Sequence, residues 1–197
     1  MDKPPMDKRG DSDPKDKDVV RLERMGDVGL ILVDHPPVNA LSQAVRKGLL
    51  AALARVLADP ALHAAVIAGE GRTFIAGADI REFDHPPGGA PAGAPAGTPA
   101  QVTTQDFIRA LDASPKPVVA AIHGTALGGG FEVALACHSR VIAPDGFVGL
   151  PEVRIGIVPG AGGTQRLPRL VGPLVALEMI LRAARAGRRS HDARPGR

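Results

Sequence analysis

A strand, helix, strand pattern in residues 28–71 restricts the fold class more than any other feature of the chain. VGLILVDHPP is a continuous apolar run closed by two prolines, and HAAVIAGEG is a second short apolar run that ends in glycine. Both are typical of buried strands. Between them, LSQAVRKGLLAALARVLADP carries an apolar helical face, with Ser42 as candidate N-cap and Pro60 as stop. Because strands joined through a helix are nearly always parallel, the pattern predicts an α/β fold.

Length and composition predict one domain with an aliphatic core. The 197 residues are 44% hydrophobic but only 3% aromatic, without Trp or Tyr, so Ala, Val, Leu and Ile must fill the interior. The single cysteine, Cys137, cannot form an internal disulfide. No signal peptide and no apolar stretch of about 20 residues is recognisable, so a cytoplasmic location without membrane insertion is expected.

The charge distribution argues against nucleic-acid binding. Residues 181–197 contain six Arg and one Asp, whereas the whole chain has a net charge of +3, so the remainder is slightly acidic. Aromatic side chains that could stack on bases are nearly absent. No nucleic-acid partner is therefore expected.

Three segments differ in composition from the core, which we place at residues 18–180. Residues 1–17 carry ten charges and three prolines and are predicted to be a disordered arm. Residues 86–100 are almost entirely Pro, Gly and Ala, which predicts a flexible loop within one domain. Residues 181–197 are predicted to be an Arg-rich, disordered tail.

GTALGGGFEVALAC, residues 124–137, places three glycines before an apolar helix. A nucleotide-binding P-loop is excluded because Phe131 and Glu132 occupy the positions of its lysine and hydroxyl residue. A dinucleotide site at GAGGTQ is disfavoured because Gln165 replaces the last glycine. Two interpretations remain: bare N–H groups that stabilise a developing oxyanion, or glycines that only allow a helix to pack on a sheet.

Two further turns carry acidic residues. RTFIAGADI ends a strand, and its Asp79 is a candidate cap for the helix that follows. GLPEVRIGIVPGAGG places Glu152 before a second glycine loop, and paired carboxylates such as Glu132 and Glu152 can share acid and base roles. His123 and Cys137 are interpreted as structural.

RTFIAGADIREF, HGTALGGGFEVALAC and GLPEVRIGIVPGAGGTQRLPRLVG together resemble the enoyl-CoA hydratase/isomerase (crotonase) superfamily, most closely the hydratase part of bifunctional β-oxidation proteins. The resemblance covers roughly residues 19–181. It implies a crotonase fold, a spiral of ββα repeats, with an acyl-CoA thioester as substrate. It also implies two backbone N–H groups that hold the thioester oxygen.

Carried over residue by residue, the resemblance implies oxyanion donors at Ala78 and Gly129. It implies catalytic carboxylates at Glu132, which helps to deprotonate a water, and Glu152, which protonates the α-carbon. No metal and no cofactor beyond the CoA of the substrate are expected. The implied CoA-binding residues, with Arg81 as a phosphate partner, are Pro37, Val38, Ala40, Ala76, Ile80 and Arg81.

Because both glutamates are present, the resemblance favours hydration of a trans-2-enoyl-CoA, since many isomerases of this family keep only the equivalent of Glu152. An isomerase and an inactive acyl-CoA-binding fragment are the alternatives. The sequence departs from the family by its Pro-Gly-Ala insert and after ALEMI, where relatives continue into helices that complete the acyl pocket and a trimer, or into a dehydrogenase domain. We therefore expect a truncated or frame-shifted chain that exposes apolar surface.

Overall fold

A computed structural model describes residues 18–78, 101–183 and 185–187, the last three through their backbone. The predictions for the arm at 1–17, the loop at 86–100 and most of the tail lie outside these residues, as do those for Asp79, Ile80 and Arg81. A 3-10 helix spans Glu152–Ile155. The other elements are β1 Val20–Met25, β2 Val28–Val33, α1 Gln43–Ala58, β3 Ala64–Gly69, β4 Ile75–Ala76, α2 Thr104–Asp112, β5 Val118–Ile122, β6 Thr125–Leu127, α3 Gly129–Ala136, β7 Ser139–Ile142, β8 Phe147–Gly149, α4 Gly163–Val171, α5 Pro173–Leu181 and β9 Arg185–Gly187.

The predicted strand, helix, strand unit is present. β2 and β3, which are connected in the chain by α1, pair with each other in parallel, with Val28 opposite Ala64. Ser42 is the N-cap of α1 and accepts a hydrogen bond from the Val45 N–H, and the helix ends at Ala58, two residues before Pro60. The prediction of a helix that connects two parallel strands is therefore confirmed.

Two sheets share the strands. One has the order β1, β2, β3, β5, β7, and the other has the order β4, β6, β8, β9. β1 and β9 are antiparallel to their neighbours, and the other neighbouring strands are parallel. The order of the elements along the chain explains this pattern. Three successive units each add one strand to the first sheet, then one strand to the second sheet, and end in a helix. The units are β3-β4-α2, β5-β6-α3 and β7-β8-α4. These are the predicted ββα repeats.

The core is aliphatic, as the composition predicted. Cys137 is buried, and burial raises the pKa of its thiol to about 12, so it is a neutral core residue. α1 contributes one apolar face, while Phe74 and Phe107 are the largest fully buried side chains. The buried face of α1 comprises Val45, Leu49, Ala52, Leu53 and Val56.

The expectation of a disordered tail is wrong for residues 185–187. These residues form β9, which pairs antiparallel with β8 so that Gly149 lies opposite Arg185. Strand pairing uses backbone N–H and C=O groups, so an Arg-rich composition does not prevent a segment from adding to an open sheet edge.

Helices α4 and α5 expose apolar side chains, so the expectation of exposed apolar surface is confirmed for the described residues. Leu174 is 79% exposed and Leu181 is 61% exposed. In the described part of the chain, we find no helix with the length and apolar character needed to span a membrane. The other exposed apolar residues of α4 and α5 are Leu170, Val171, Val175 and Leu177.

Packing of α3 on the second sheet generates a stability prediction. A Cβ at Gly130 would lie 2.2 Å from the Ile75 carbonyl oxygen, which belongs to backbone and cannot move aside cheaply. We expect Gly130→Ala to lower the free energy of unfolding by about 1–3 kcal/mol, although alanine is intrinsically the better helix former. Urea denaturation measures the change.

Gly129→Ala is the matched comparison, because the described atom that a Cβ there would approach is the flexible Leu41 Cδ1 at 3.2 Å. We expect a smaller loss of stability than for Gly130→Ala. Equal stabilities for the two variants would contradict the close approach of α3 to β4.

Candidate active site

The predicted catalytic and oxyanion residues converge on one cavity of about 560 Å³. Its size is within the range of small-molecule sites. Both predicted carboxylates and both predicted oxyanion residues line it, although they come from different repeats. The cavity is lined by Arg46, Ala76, Gly77, Ala78, Gln101, Val102, Thr103, Thr104, Gln105, Leu127, Gly128, Gly129, Glu132, Pro151, Glu152, Arg154, Ile155, Ile157, Val158, Gly160 and Ala161.

Glu132 lies in the first turn of α3 and is 3% exposed. Its Oε1 accepts hydrogen bonds from the backbone N–H groups of Ala161 and Gly163, each at 2.8 Å. These groups belong to the beginning of α4, where the N-cap residue Gly162 provides no side-chain cap. Glu132 therefore satisfies N–H groups that a helix N-terminus leaves without acceptors.

Two opposing effects act on the Glu132 carboxyl. Burial raises the pKa of Glu132 above its ordinary value, and the hydrogen bonds from the N–H groups of Gly163 and Ala161 oppose this shift without cancelling it. Hydrogen bonds to a carboxylate favour its charged form. Glu132 is thus a buried carboxylate with one oxygen anchored by backbone donors.

Glu152 has a different environment. It opens the 3-10 helix after Pro151 and is 9% exposed. Its Oε2 is buried and has no hydrogen-bond partner among the residues that the structure describes. Burial raises the pKa of Glu152 to about 7; its own backbone N–H opposes the shift, and the negative charge of Glu132 adds to it. At neutral pH this carboxyl is close to half protonated, unlike an ordinary glutamate.

The glycine triplet has a separate structural reason at each position. Gly128 has a φ of +52°, and a Cβ there would lie 3.1 Å from Glu152 Oε1. Gly129 begins α3, so its N–H has no acceptor within the helix. Gly130 allows the close contact with β4 described above. The packing interpretation is therefore supported at Gly130, while Gly128 and Gly129 line the cavity and the oxyanion interpretation stays a prediction.

The second predicted oxyanion residue, Ala78, lies beside this turn. A Cβ at Gly128 would lie 3.7 Å from the Gly77 Cα, so the two turns are adjacent. Leu41 holds the Ala78 turn in place: its N–H donates to the Gly77 carbonyl at 3.0 Å, and it forms a parallel bridge with Ala78. The structure thus brings Ala78 and Gly129 to the same wall as the glutamates.

The residues expected to bind CoA are only partly brought together. Ala76 lines the cavity, and its N–H donates to the Val38 carbonyl at 3.1 Å, which joins β4 to the loop before α1. Pro37 and Val38 are exposed and Ala40 is half-buried; none of these three lines the cavity. Their assignment to CoA stays a prediction.

The sequence analysis missed Arg46, which lines the cavity, and Asn39, which fixes the loop before α1. Asn39 is buried with a φ of +53°, and its side-chain amide donates to the carbonyls of Glu70 and Thr73, each at 2.9 Å. Asparagine tolerates this left-handed conformation, so an Asn after two prolines was an available signal. Arg46, 8% exposed, donates to the Val102 carbonyl at 2.6 Å and also to the Leu41 carbonyl.

His123 is not part of the cavity lining. A ring nitrogen, Nε2, lies 3.1 Å from the Gly71 carbonyl oxygen, consistent with the structural interpretation. Among the described residues, no group of three or more His, Cys, Asp or Glu side chains is arranged to hold a metal ion.

The amino-acid sequence of the chain matches a known protein family. The family model described as "Enoyl-CoA hydratase/isomerase" matches residues 23–192. The chain belongs to this family. The match extends beyond residue 180, so the boundary expected between a family core and an unrelated tail is wrong.

Individual family members show the same relationship. The peroxisomal bifunctional enzyme of Danio rerio is 51% identical over 153 residues, which are 78% of this chain and 20% of that protein. A probable enoyl-CoA hydratase of Bacillus subtilis (strain 168) is 44% identical over 153 residues, 78% of this chain and 57% of that protein. This family member thus spans about a fifth of the first relative and little more than half of the second.

A solved structure confirms the crotonase fold. An enoyl-CoA hydratase from Bacillus anthracis has a TM-score of 0.74 and 33% sequence identity, with 87% of this chain and 66% of that chain covered. The two-sheet arrangement of ββα repeats is therefore shared with a family member of known structure.

The raised pKa of Glu152 predicts a pH-dependent stability. The folded-state pKa of about 7 exceeds the ordinary value of 4.5, so the native state binds this proton more tightly than the unfolded chain. The contribution is present below about pH 4.5 and is lost as the pH rises through 7. Relative to Glu152→Gln, the free energy of unfolding of the wild type should fall by on the order of 3 kcal/mol between these pH values.

Urea denaturation of both proteins from pH 4 to 8 measures this difference. Glu178→Gln on α5 is the matched control, because that carboxylate is 65% exposed. A difference between wild type and Glu152→Gln that does not change with pH would show that Glu152 titrates normally.

Proposed function

We propose that the protein is an enoyl-CoA hydratase that adds water across the 2,3 double bond of a trans-2-enoyl-CoA in fatty acid β-oxidation. The carrying observation is that Glu132 and Glu152 line one cavity with different hydrogen bonding. Two carboxyl groups in distinct environments can act as base and acid in the same turnover. The names of the relatives, which include a probable enoyl-CoA hydratase and a glyoxysomal fatty acid beta-oxidation multifunctional protein, support the same assignment.

In this proposal, Glu132 is the base. Ala161 and Gly163 hold its Oε1 and favour its ionised form, so the carboxylate can accept a proton from a water in the cavity. The water oxygen bonds to the β-carbon as its proton passes to Glu132. The electron pair of the double bond then moves toward the thioester carbonyl and forms an enolate.

The enolate oxygen would be stabilised by the N–H groups of Ala78 and Gly129. Both residues line the cavity beside the glutamates, and Gly129 begins α3, whose dipole favours negative charge at this end. One donor of this kind contributes about 100- to 1000-fold in rate. We propose that this N–H pair provides the main electrostatic stabilisation of the reaction.

Glu152 would complete the addition. Its carboxyl has a raised pKa, and its Oε2 has no partner within residues 18–78 and 101–183, so a proton held there is available to the substrate α-carbon. Transfer gives a 3-hydroxyacyl-CoA, with Glu132 protonated and Glu152 ionised. Proton exchange with solvent then restores both groups. The reaction as proposed needs no metal and no cofactor beyond the CoA of the substrate.

Substitution of the two carboxylates tests the proposal. Glu132→Gln and Glu152→Gln should each lower kcat for hydration of crotonyl-CoA by about 100- to 10,000-fold, because glutamine neither accepts nor donates the required proton. The loss of enoyl thioester absorbance measures the rate. Glu178→Gln is the control with an exposed carboxylate. A wild type that binds crotonyl-CoA without turnover would support the acyl-CoA-binding alternative instead.

Isomerisation of a 3-enoyl-CoA is a second candidate, favoured by the unpartnered Oε2 of Glu152. This reaction moves one proton between carbons and needs no activated water. Glu132→Gln should therefore retain more isomerase than hydratase activity, while Glu152→Gln should lose both. Chromatography of the acyl-CoA products measures each reaction. Equal loss of both activities in Glu132→Gln would exclude a mechanism in which Glu152 alone moves the proton between the carbons.

The assembly and location of the protein also stay proposals. The exposed apolar faces of α4 and α5 are consistent with contact to another subunit or segment. A cytoplasmic location is our prediction, while the Danio rerio and Cucumis sativus relatives are named peroxisomal and glyoxysomal.

A further inference from the structure

Gln105 contacts the peptide group that supports Glu132. Its side-chain Nε2 donates to the Gly160 carbonyl at 3.0 Å. The N–H of the same peptide group is that of Ala161, which donates to Glu132 Oε1 at 2.8 Å. One planar peptide therefore accepts a hydrogen bond from Gln105 at one end and donates one to Glu132 at the other.

This arrangement matters because the peptide lies in a loop rich in glycine. Gly162, with a φ of +99°, is the N-cap of α4 and provides no side-chain cap. Glycine residues at positions 160, 162 and 163 leave the backbone many conformations. A peptide rotated about its neighbouring bonds would turn the Ala161 N–H away from the carboxylate, so a bond to its oxygen opposes the rotation.

Gln105 itself is well placed. It lies in the first turn of α2, which begins with a capping box: the Asp106 N–H donates to Thr103 Oγ1 at 3.1 Å, and the Thr103 N–H donates to Asp106 Oδ2 at 2.7 Å. Just before it, the Val102 carbonyl accepts from Arg46 Nε at 2.6 Å. The beginning of α2 is thus anchored before it reaches Gly160.

The other end of α2 also contacts α4. Arg166 Nη2 donates to both carboxylate oxygens of Asp112, at 2.7 and 2.9 Å. The segment from Gly160 to Arg166, which contains both donors to Glu132, is therefore tied to α2 at its two ends.

We propose that Gln105 is a positioning residue for Glu132, because it holds the Gly160–Ala161 peptide in the orientation that donates to the carboxylate. The proposal rests on the proposed function for its effect on catalysis, but the hydrogen-bond relay stands on geometry alone. A cooperative chain of this kind strengthens each of its bonds. Its loss weakens the Ala161 bond and raises the pKa of Glu132, since that bond favours the charged form.

Gln105→Met is the decisive variant. Methionine has a similar length and helix propensity but no N–H donor, and Gln105 is exposed, so we expect the variant to fold. Gln165→Ala on α4 is the control, because this exposed glutamine accepts from Arg169 and does not contact the Glu132 peptide. Gln105→Lys, which restores a donor, is the rescue variant.

We expect kcat for crotonyl-CoA hydration to fall about two- to tenfold in Gln105→Met, with a smaller change in KM, and to recover in Gln105→Lys. The acidic limb of the pH profile should move to higher pH in Gln105→Met. This substitution changes none of the described charged groups near Glu132. Glu152, Arg46 and Arg154 line the same cavity. On α2, Asp106 pairs with Arg109, and Asp112 pairs with Arg166 of α4.

Two measurements decide the inference without turnover. Amide hydrogen exchange of Ala161 should be on the order of tenfold faster in Gln105→Met. The ¹³C carboxyl resonance of Glu132, assigned by comparison with Glu132→Gln, should titrate at higher pH. Unchanged exchange and an unchanged titration would overturn the role of Gln105. A wild type without hydratase activity would instead overturn the proposed function, and the exchange and titration results would still show whether Gln105 supports Glu132.

Discussion

Close approach of α3 to the second sheet is the constraint on which the site depends. Gly130 permits this approach because any side chain there would meet the backbone of β4 at Ile75. The contact brings the first turn of α3, with Gly129 and Glu132, beside the Ala78 turn. Gly128 leaves room for the Glu152 carboxyl on the other side. The three consecutive glycines thus allow the four proposed functional residues, which belong to three different repeats, to lie close to one another. These residues are Ala78, Gly129, Glu132 and Glu152.

The two glutamates share a cavity but differ in how the fold compensates their burial. Burying a carboxylate is unfavourable unless hydrogen bonds replace the lost water. Glu132 receives that compensation from two N–H groups at the beginning of α4, and α4 in turn receives the cap that its glycine N-cap does not provide. Glu152 Oε2 has no such donor among the described residues, and burial raises the pKa of its carboxyl, which favours the protonated form. The difference in chemistry arises from backbone position, because the residue type is the same.

Much of the architecture could be predicted from local sequence. Periodicity and caps predicted α1, and the apolar runs predicted β2 and β3, because burial pattern and backbone preference act over a few residues. The ββα repeats and the two carboxylates followed from motifs shared with a family. β9 was missed, since pairing through backbone groups leaves little trace in side-chain composition. Asn39 and Arg46 were missed because each stabilises segments distant in sequence.

The sequence by itself determined that the chain forms parallel strands around helices, and that glycine turns and two glutamates are available for chemistry. Only the tertiary structure decided that Glu132 is anchored by Ala161 and Gly163 and that Gln105 contacts the supporting peptide. It also decided that Glu152 Oε2 has no partner in the described part of the chain. The physical reason is range: propensities and motifs act between neighbours in the chain. Burial and hydrogen-bond partners instead depend on which distant backbone groups the completed fold places around each carboxyl.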